Sequence, residues 1–358
     1  MTTSTDRLKT FRKMVLTEPV EAVLVSGPSN VRYLSGFTGS YGYVFMTRKW
    51  ACLLTDGRYE TQAAQEVGHM AVRVESRPLW EAVGDLGREK GVRVLGFEPA
   101  HTGYELYQSL RKAGFRLRPL HRKVEELRQL KSDHEMRAIR RAVRIAEESF
   151  LAVQGLIRPG TSERDLAAAL ECEIRKRGSD RLPFEAIVAT GRRSSLPHAR
   201  PTSRKLKAGD LLVVDWGAEY NGYFSDMTRS FILGGAAGEK KKVYDIVLEA
   251  QRAAVRVVLP GISLKAVDKA ARDVIEGYGY GLFFNHGTGH GVGLDVHEMP
   301  RVSRMGKGPV EEGMVFTVEP GIYIPDMGGV RIEDMIHVTR EGARPLTRLP
   351  VEPYVGGS

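Results

Sequence analysis

The sequence is poor in cysteine, has no long apolar run and carries fewer acidic than basic side chains. Each shortage removes a class of protein. Only Cys52 and Cys172 occur. They are expected in different domains, which argues against a disulfide framework and fits a reducing compartment. No stretch approaches the roughly 18 consecutive apolar residues that a membrane helix needs. Residues 1–13 are polar and lack the apolar segment of a secretory signal. A cytoplasmic location without a membrane partner is therefore expected. The 44 acidic side chains are outnumbered by 53 Lys and Arg, giving a net charge of +9. Much of that excess lies between Arg111 and Arg144. It reads as solvated helix faces and an interdomain linker, so no nucleic-acid partner is expected.

What is present is enough for two packed domains. The chain has 358 residues, 42% of them hydrophobic, which exceeds one comfortable core. Short apolar runs at 22–25, 43–46, 51–54, 72–74 and 92–96 predict strands, and amphipathic runs at 59–67, 79–90 and 104–113 predict helices. Their alternation predicts an α/β domain. Two motif-like segments, 30–40 (NVRYLSGFTGS) and 55–63 (TDGRYETQA), carry no cluster of metal ligands. The pattern changes near residue 127, dividing the chain into 1–126 and 127–358. From Ser132 a helix runs with Met136, Ile139, Val143, Ala146 and Phe150 on one stripe. Pro159–Gly160 stops it, and Ser162 caps a second helix with Asp165 in the capping-box position. Beyond Pro183 the chain turns rich in strands and glycine. Strands are expected at 211–220, 223–231, 314–324 and 330–339, and helices at 240–258 and 263–277. Two helices followed by a hairpin thus occur twice, in an α+β domain.

The chemistry sits in the two hairpins. Asn221–Gly222 is the preferred pair for a two-residue type I′ turn. If Tyr220 pairs with Tyr223, Asp215 faces Thr228 and Gly217 faces Asp226. Asp215 and Asp226 then become diagonal neighbours on one face. Carboxylates converging in this way repel one another unless a cation lies between them. In the second hairpin, pairing of Ile324 with Val330 sets Glu319 opposite Met335 and Glu333 opposite Gly321. The two glutamates again share a face, and Arg331 shares it with them. Histidines 198, 286, 290 and 297 gather in the same domain, three of them within NHGTGHGVGLDVHE at 285–298. Their spacing is not that of the zinc-protease H-E-x-x-H helix. Taken singly, each element has a plainer reading: a surface aspartate, a Glu-Pro-Gly turn, a hydrogen-bonded loop histidine. Jointly they point to one site of Asp215, Asp226, His290, Glu319 and Glu333. That hard, oxygen-rich set suits two divalent ions, manganese first and cobalt, iron or zinc as alternatives.

These strings resemble the prolidase and aminopeptidase P branch of the pita-bread metallopeptidases. The matching segments are DWGAEYNGYFSDMTR from Asp215, HGTGHGVGLDVHE from His286, EPGIY from Glu319 and GGVRIED from Gly328. NVRYLSGFTGS and TDGRY are similar to the creatinase-type N-terminal domain, so the resemblance spans nearly the whole chain. It implies that Asp215 chelates one metal, that His290 and Glu319 bind the other, and that Asp226 and Glu333 bridge both. It further implies a bridging water as nucleophile, with Glu319 as its proton shuttle. His198 and His297 match catalytic histidines on the substrate side. His286 matches a further pocket histidine, and Arg331 braces a metal-bound carboxylate. Removal of an N-terminal residue from peptides with proline second, by a homodimer whose N-terminal domain serves assembly and access, is the implied function. The X–Pro nitrogen carries no hydrogen, so a dedicated pocket is needed.

Within that resemblance an aminopeptidase that also takes dipeptides is the preferred reading. A dipeptidase is the alternative, for which Arg301 is a candidate anchor of the substrate carboxylate. A methionine aminopeptidase normally lacks such an N-terminal domain. Creatinase does not use the metal set, and a catalytically dead binding module would be expected to have lost ligands that are intact here.

Overall fold

The computed structural model describes residues 4–15, 17–235 and 238–355. The chain folds as two units, Met1–Arg128 and Gln129–Ser358.

In the first unit the chain order is α1 (Ser4–Val15), β1 (Ala22–Val25), α2 (Pro28–Ser35), β2 (Tyr43–Thr47), β3 (Ala51–Asp56), α3 (Glu60–Glu66), β4 (Ala71–Glu75), α4 (Leu79–Glu89), β5 (Val94–Phe97), α5 (Tyr104–Lys112), β6 (Arg116–Pro119) and α6 (Lys123–Arg128). The six strands form one sheet in the order β4-β3-β2-β1-β5-β6. Strand β1 is central and buried at all four positions, as its uninterrupted Ala-Val-Leu-Val run requires. It pairs antiparallel with β2 and parallel with β5. The apolar stripe of α4, Leu79, Ala82, Val83 and Leu86, packs with Ala22, Leu24, Phe45 and Leu54 in one core. The polar-looking α1 was not expected from its composition. It buries Leu8, Phe11 and Val15 on one face, and three apolar residues at helical spacing are enough to dock it.

The second unit opens with α7 (Asp133–Val153) and α8 (Glu163–Lys176). Ser132 and Glu135 form a reciprocal capping box at the start of α7, and Ser162 Oγ accepts from Asp165 N–H at the start of α8. There follow β7 (Ile187–Thr190), β8 (Leu211–Trp216), β9 (Glu219–Tyr220), β10 (Tyr223–Phe224) and β11 (Met227–Leu233). Helices α9 (Glu239–Val257) and α10 (Leu264–Gly277) lead to β12 (Gly289–Gly291), β13 (Glu298–Val302), β14 (Val315–Val318), β15 (Gly321–Ile324), β16 (Gly328–Arg331), β17 (Asp334–Thr339), β18 (Gly342–Pro345) and β19 (Tyr354–Val355). Two larger sheets result, β19-β11-β8-β7 and β13-β12-β14-β17-β18. A single antiparallel bridge between Thr228 and Glu333 joins β11 to the residue ahead of β17. Helices α9 and α10 contribute Val243, Val247, Val267 and Ala271 to a core shared with Phe316, Val318, Ile332 and Ile336.

The first hairpin has the expected register: Tyr220 pairs with Tyr223 and Asp215 with Thr228. The second does not. Ile324 pairs with Gly328, not Val330. Asp326 takes a left-handed φ of 67°, so three residues close a loop that five were expected to form. A slip of two residues leaves every side chain on its face, because the strand repeat is two.

Candidate metal centre

The site forms where the two hairpins meet. Asp215 lies on the buried strand β8 and Asp226 immediately precedes β11. Glu319 sits between β14 and β15, and Glu333 between β16 and β17. His290 is the middle residue of β12, between Gly289 and Gly291. A Cβ on Gly289 would overlap the Thr317 carbonyl. Glycine there lets β12 run close enough to bring His290 beside Glu319.

The structure brings the five expected residues together. His290 Nε2 stands 3.3 Å from Glu319 Oε1 and 3.6 Å from Asp226 Oδ2. Ligand atoms of Asp226, His290 and Glu333 all lie within 4.8 Å of one another. Asp215 joins the group through Arg331, whose guanidinium donates to Asp215 Oδ2 at 2.6 Å. Arg331 also donates to Thr228 Oγ1 at 3.0 Å, and Thr228 donates to Glu333 Oε2 at 2.6 Å. Asp215, Asp226 and Glu333 are 9%, 5% and 2% exposed, so bulk solvent screens their charges little.

Four carboxylates this close cannot all ionise freely. Burial pushes Asp226 well above the usual carboxylate range, and the charges of Glu333, Asp215 and Glu319 push it further. Glu333 is raised in the same way, by burial and then by Glu319 and Asp215, against the Thr228 bond. Burial raises Asp215 despite Arg331. Glu319 goes the other way: the bond and charge of His290, with His286 and Arg331, outweigh its burial and hold it down, to about 2. Burial disfavours the His290 imidazolium, but the Glu319 bond and charge raise it overall.

The donor set fits divalent cations. Among the described residues Asp215 Oδ1 is buried with no hydrogen-bond partner. His290 Nδ1 faces the Gly291 carbonyl at 3.2 Å. A carbonyl only accepts, so Nδ1 carries a hydrogen and Nε2 is the nitrogen that faces the carboxylate oxygens. Lone pair against lone pair is repulsive unless a proton or a metal ion lies between, and this is the arrangement of a metal-ligating histidine.

The other expected residues surround this centre. His297 is exposed, with its ring 4.1 Å from that of His290. Burial, then His290 and His198, lower its pKa, with Glu319 opposing them. His198 is exposed on a segment tied to the centre by Arg331, which donates to the Pro197 carbonyl at 3.2 Å. His286 has both ring nitrogens committed, Nδ1 to Gly287 O at 2.8 Å and Nε2 to Tyr323 at 3.0 Å. Arg301 lies directly opposite His290 in the β12–β13 pairing. Its side chain is exposed and makes no hydrogen bond or ion pair with any described residue.

Sequence reasoning missed Tyr323 and Thr228, which complete the Arg331 network. Both stand inside quoted motifs (EPGIY and DMTR), which was the available signal. It also missed Glu98, His101 and Glu125 of the first unit, whose potential ligand atoms converge as closely. Among the described residues no helix is long and apolar enough to cross a membrane, and Cys52 and Cys172 are both free.

Comparison with known proteins finds relatives along nearly the whole chain. Residues 137–340 match the model of metallopeptidase family M24, and residues 7–130 match the creatinase/prolidase N-terminal domain. The Xaa-Pro dipeptidase of Pyrococcus horikoshii is 37% identical over 96% of this chain and 97% of its own. A solved Xaa-Pro dipeptidase from Bacillus anthracis is 36% identical with a TM-score of 0.95, covering 98% of this chain and 99% of that one. A solved X-Pro aminopeptidase from Thermotoga maritima is 34% identical with a TM-score of 0.89, covering 97% of this chain and 99% of that one.

Proposed function

The chain belongs to metallopeptidase family M24, and from that premise we propose that it hydrolyses the bond between an N-terminal residue and a following proline. The observation that carries the proposal is the buried convergence of Asp226, His290 and Glu333, with Asp215 and Glu319 beside them.

Asp215 would hold one divalent ion, His290 and Glu319 the other, and Asp226 and Glu333 both. Manganese suits so oxygen-rich a set. When bound, such ions supply charge that acidifies water and stabilises negative charge developing on the scissile carbonyl oxygen. The remaining work falls to side chains. Glu319, beside the reacting water, would accept its proton. Water adds to the carbonyl carbon, the C–N bond breaks, and the proline nitrogen leaves with a proton delivered from the Glu319 side. His297, kept neutral near pH 7 by burial and neighbouring charge, donates to the substrate without adding a like charge to the centre. His198 faces the same space. His286 contributes a wall of the pocket, since both its nitrogens are bonded within the protein. Arg331 fixes Asp215 and, through Thr228, Glu333.

Between the two modes open to this family, Arg301 favours the dipeptidase. Directly opposite residues of paired strands share a face, so its unpaired guanidinium projects on the face of His290, where a dipeptide's carboxylate would end. The aminopeptidase preferred from sequence is the competing reading. The homodimer and the cytoplasmic location remain part of this proposal, supported by the resemblance and the free cysteines. Assay of Xaa-Pro against Xaa-Pro-Yaa-Zaa with manganese tests the mode. Turnover confined to the dipeptide is expected, with Arg301→Met raising its KM about 10–100-fold, the worth of one charged hydrogen bond. Equal kcat/KM on the tetrapeptide would return the aminopeptidase reading.

A further inference from the structure

A buried ion pair lies outside the metal centre and outside the substrate-facing residues named so far. Lys131 Nζ and Glu298 Oε1 are 2.8 Å apart, with side-chain exposures of 1% and 3%. Two charges so fully desolvated are costly to keep unless their position matters or their remaining bonds are satisfied. Their further bonds show where they act. Lys131 Nζ also donates to the Gln129 carbonyl at 3.4 Å, and the Lys131 backbone N–H donates to Gly313 O at 2.9 Å. The ammonium is thereby held at the start of the second unit. On the other side, Glu298 Oε2 accepts from the Asp295 backbone N–H at 3.3 Å. The Asp295 carbonyl in turn accepts from Gly293 N–H at 3.0 Å. The Glu298 carboxylate therefore closes the turn that carries His297, the residue immediately before it. Gly293 has to be glycine for this: a Cβ there would overlap the Glu298 carboxylate. Three residues after Glu298, the same strand β13 carries Arg301.

We infer that Lys131 and Glu298 are a positioning pair that sets the His297 turn and the start of β13, and so determines how tightly the substrate is held. The inference rests on the peptidase reading for its substrate, but neither residue of the pair is one of the five proposed metal ligands. Charge on Lys131 fixes one carboxylate oxygen, which frees the other to accept from the turn. Removing the ammonium alone leaves a buried carboxylate that would draw in water or a proton, and the turn loses its anchor.

The test uses the full-length, metal-loaded protein. Lys131→Met alone removes a charged partner from the buried Glu298 carboxylate and is expected to lower Tm. The double variant Lys131→Met/Glu298→Gln removes both charges and is expected to recover the wild-type Tm. Metal content in the double variant should equal wild type, while KM for an Xaa-Pro dipeptide rises about tenfold and kcat changes less. The second readout does not need turnover. With zinc as a diamagnetic ion and histidine labelled at its ring carbon, the His297 resonance, assigned by loss in His297→Asn, should shift in the double variant. An unshifted His297 resonance, or a wild-type KM, in the folded double variant overturns the positioning role. If the wild-type protein cleaves no Xaa-Pro peptide, the peptidase reading fails by itself and the resonance still decides the inference.

Discussion

The Glu98, His101 and Glu125 group of the first unit and the Asp226, His290 and Glu333 group of the second each place three potential ligand atoms within 4.8 Å of one another, yet their acids are served differently. Glu98 accepts from the backbone N–H groups of Ser26 and Gly27 at 2.7 and 2.9 Å and from Asn30 at 2.6 Å. Those two N–H groups open helix α2, so Glu98 works as a cap for a helix whose own N-cap, Gly27, has no side chain. Glu125 accepts from Asn30 at 3.1 Å and faces His101 Nε2 at 2.9 Å. In the second unit the donors run out. Asp226 Oδ2 stands 3.6 Å from His290 Nε2, and Asp215 Oδ1 has no hydrogen-bond partner among the described residues. The same residue types make a structural brace where amides point at them, and a set suited to a cation where some carboxylate oxygens have no donor among the described residues. Proximity of ligand types is therefore a weaker signal than a deficit of donors.

The largest effect should separate the two groups by activity. Asp226→Asn or Glu333→Gln is expected to cut kcat/KM on an Xaa-Pro substrate by at least about 1000-fold, the rate equivalent of several kcal/mol of charge stabilisation. Glu98→Gln and Glu125→Gln should stay within about twofold of wild type once folded. Steady-state assay of all four decides whether only one group carries chemistry.

Thr228→Val probes the link between Arg331 and Glu333 in the second group. It cuts the path from Arg331 through Thr228 to Glu333. Metal affinity should fall about 10–100-fold with the fold intact, as read by calorimetry. Unchanged affinity would mean that Arg331 acts on Asp215 alone.

The smallest effects are in stability, and here Glu125 should respond to pH with a sign opposite to that of Asp226 and Glu333, whereas burial raises Glu98 as it raises them. Burial disfavours ionised Glu125, but its His101 and Asn30 bonds outweigh this and hold it down, to about 2. The stability it adds is complete above its ordinary value near 4.5 and is lost as pH falls toward 2. Asp226 and Glu333 are raised, so without metal the folded second unit holds more protons than its unfolded form once pH exceeds their ordinary 3.8 and 4.5. Its stability therefore falls as pH rises from there through the raised values, and saturating metal should abolish the fall by replacing those protons. Glu98→Ala should cost about 2–4 kcal/mol by leaving two helix-end N–H groups without their acceptor, without changing metal uptake. Thermal melts across pH, with and without metal, check all of this.

Much of the second group was legible because short-range rules govern it. Asn221–Gly222 dictates a two-residue turn, and that turn alone sets Asp215 opposite Thr228. The second hairpin was misjudged by two residues because nothing in PDMGG announces that Asp326 will take a left-handed conformation. The error was harmless to the site, since a shift of two preserves the face. The first group was illegible for a different reason. Asn30, Glu98 and Glu125 meet only through tertiary packing, and no periodicity spans such separations. Lys131 and Glu298 were hidden likewise: both lie within readable segments, but their pairing across 167 positions depends on the completed fold. The roles of α1 and the Arg331–Tyr323–His286 chain also emerge only once partners are in place.

The account depends most on the second group needing cations that the first does not, and calorimetric titration of the metal-free full-length chain with manganese tests this directly. Two ions taken up per chain, with protons released on binding, lost in Asp226→Asn and retained in Glu125→Gln, is the predicted result. No uptake, or uptake that survives Asp226→Asn and disappears in Glu125→Gln, would contradict it.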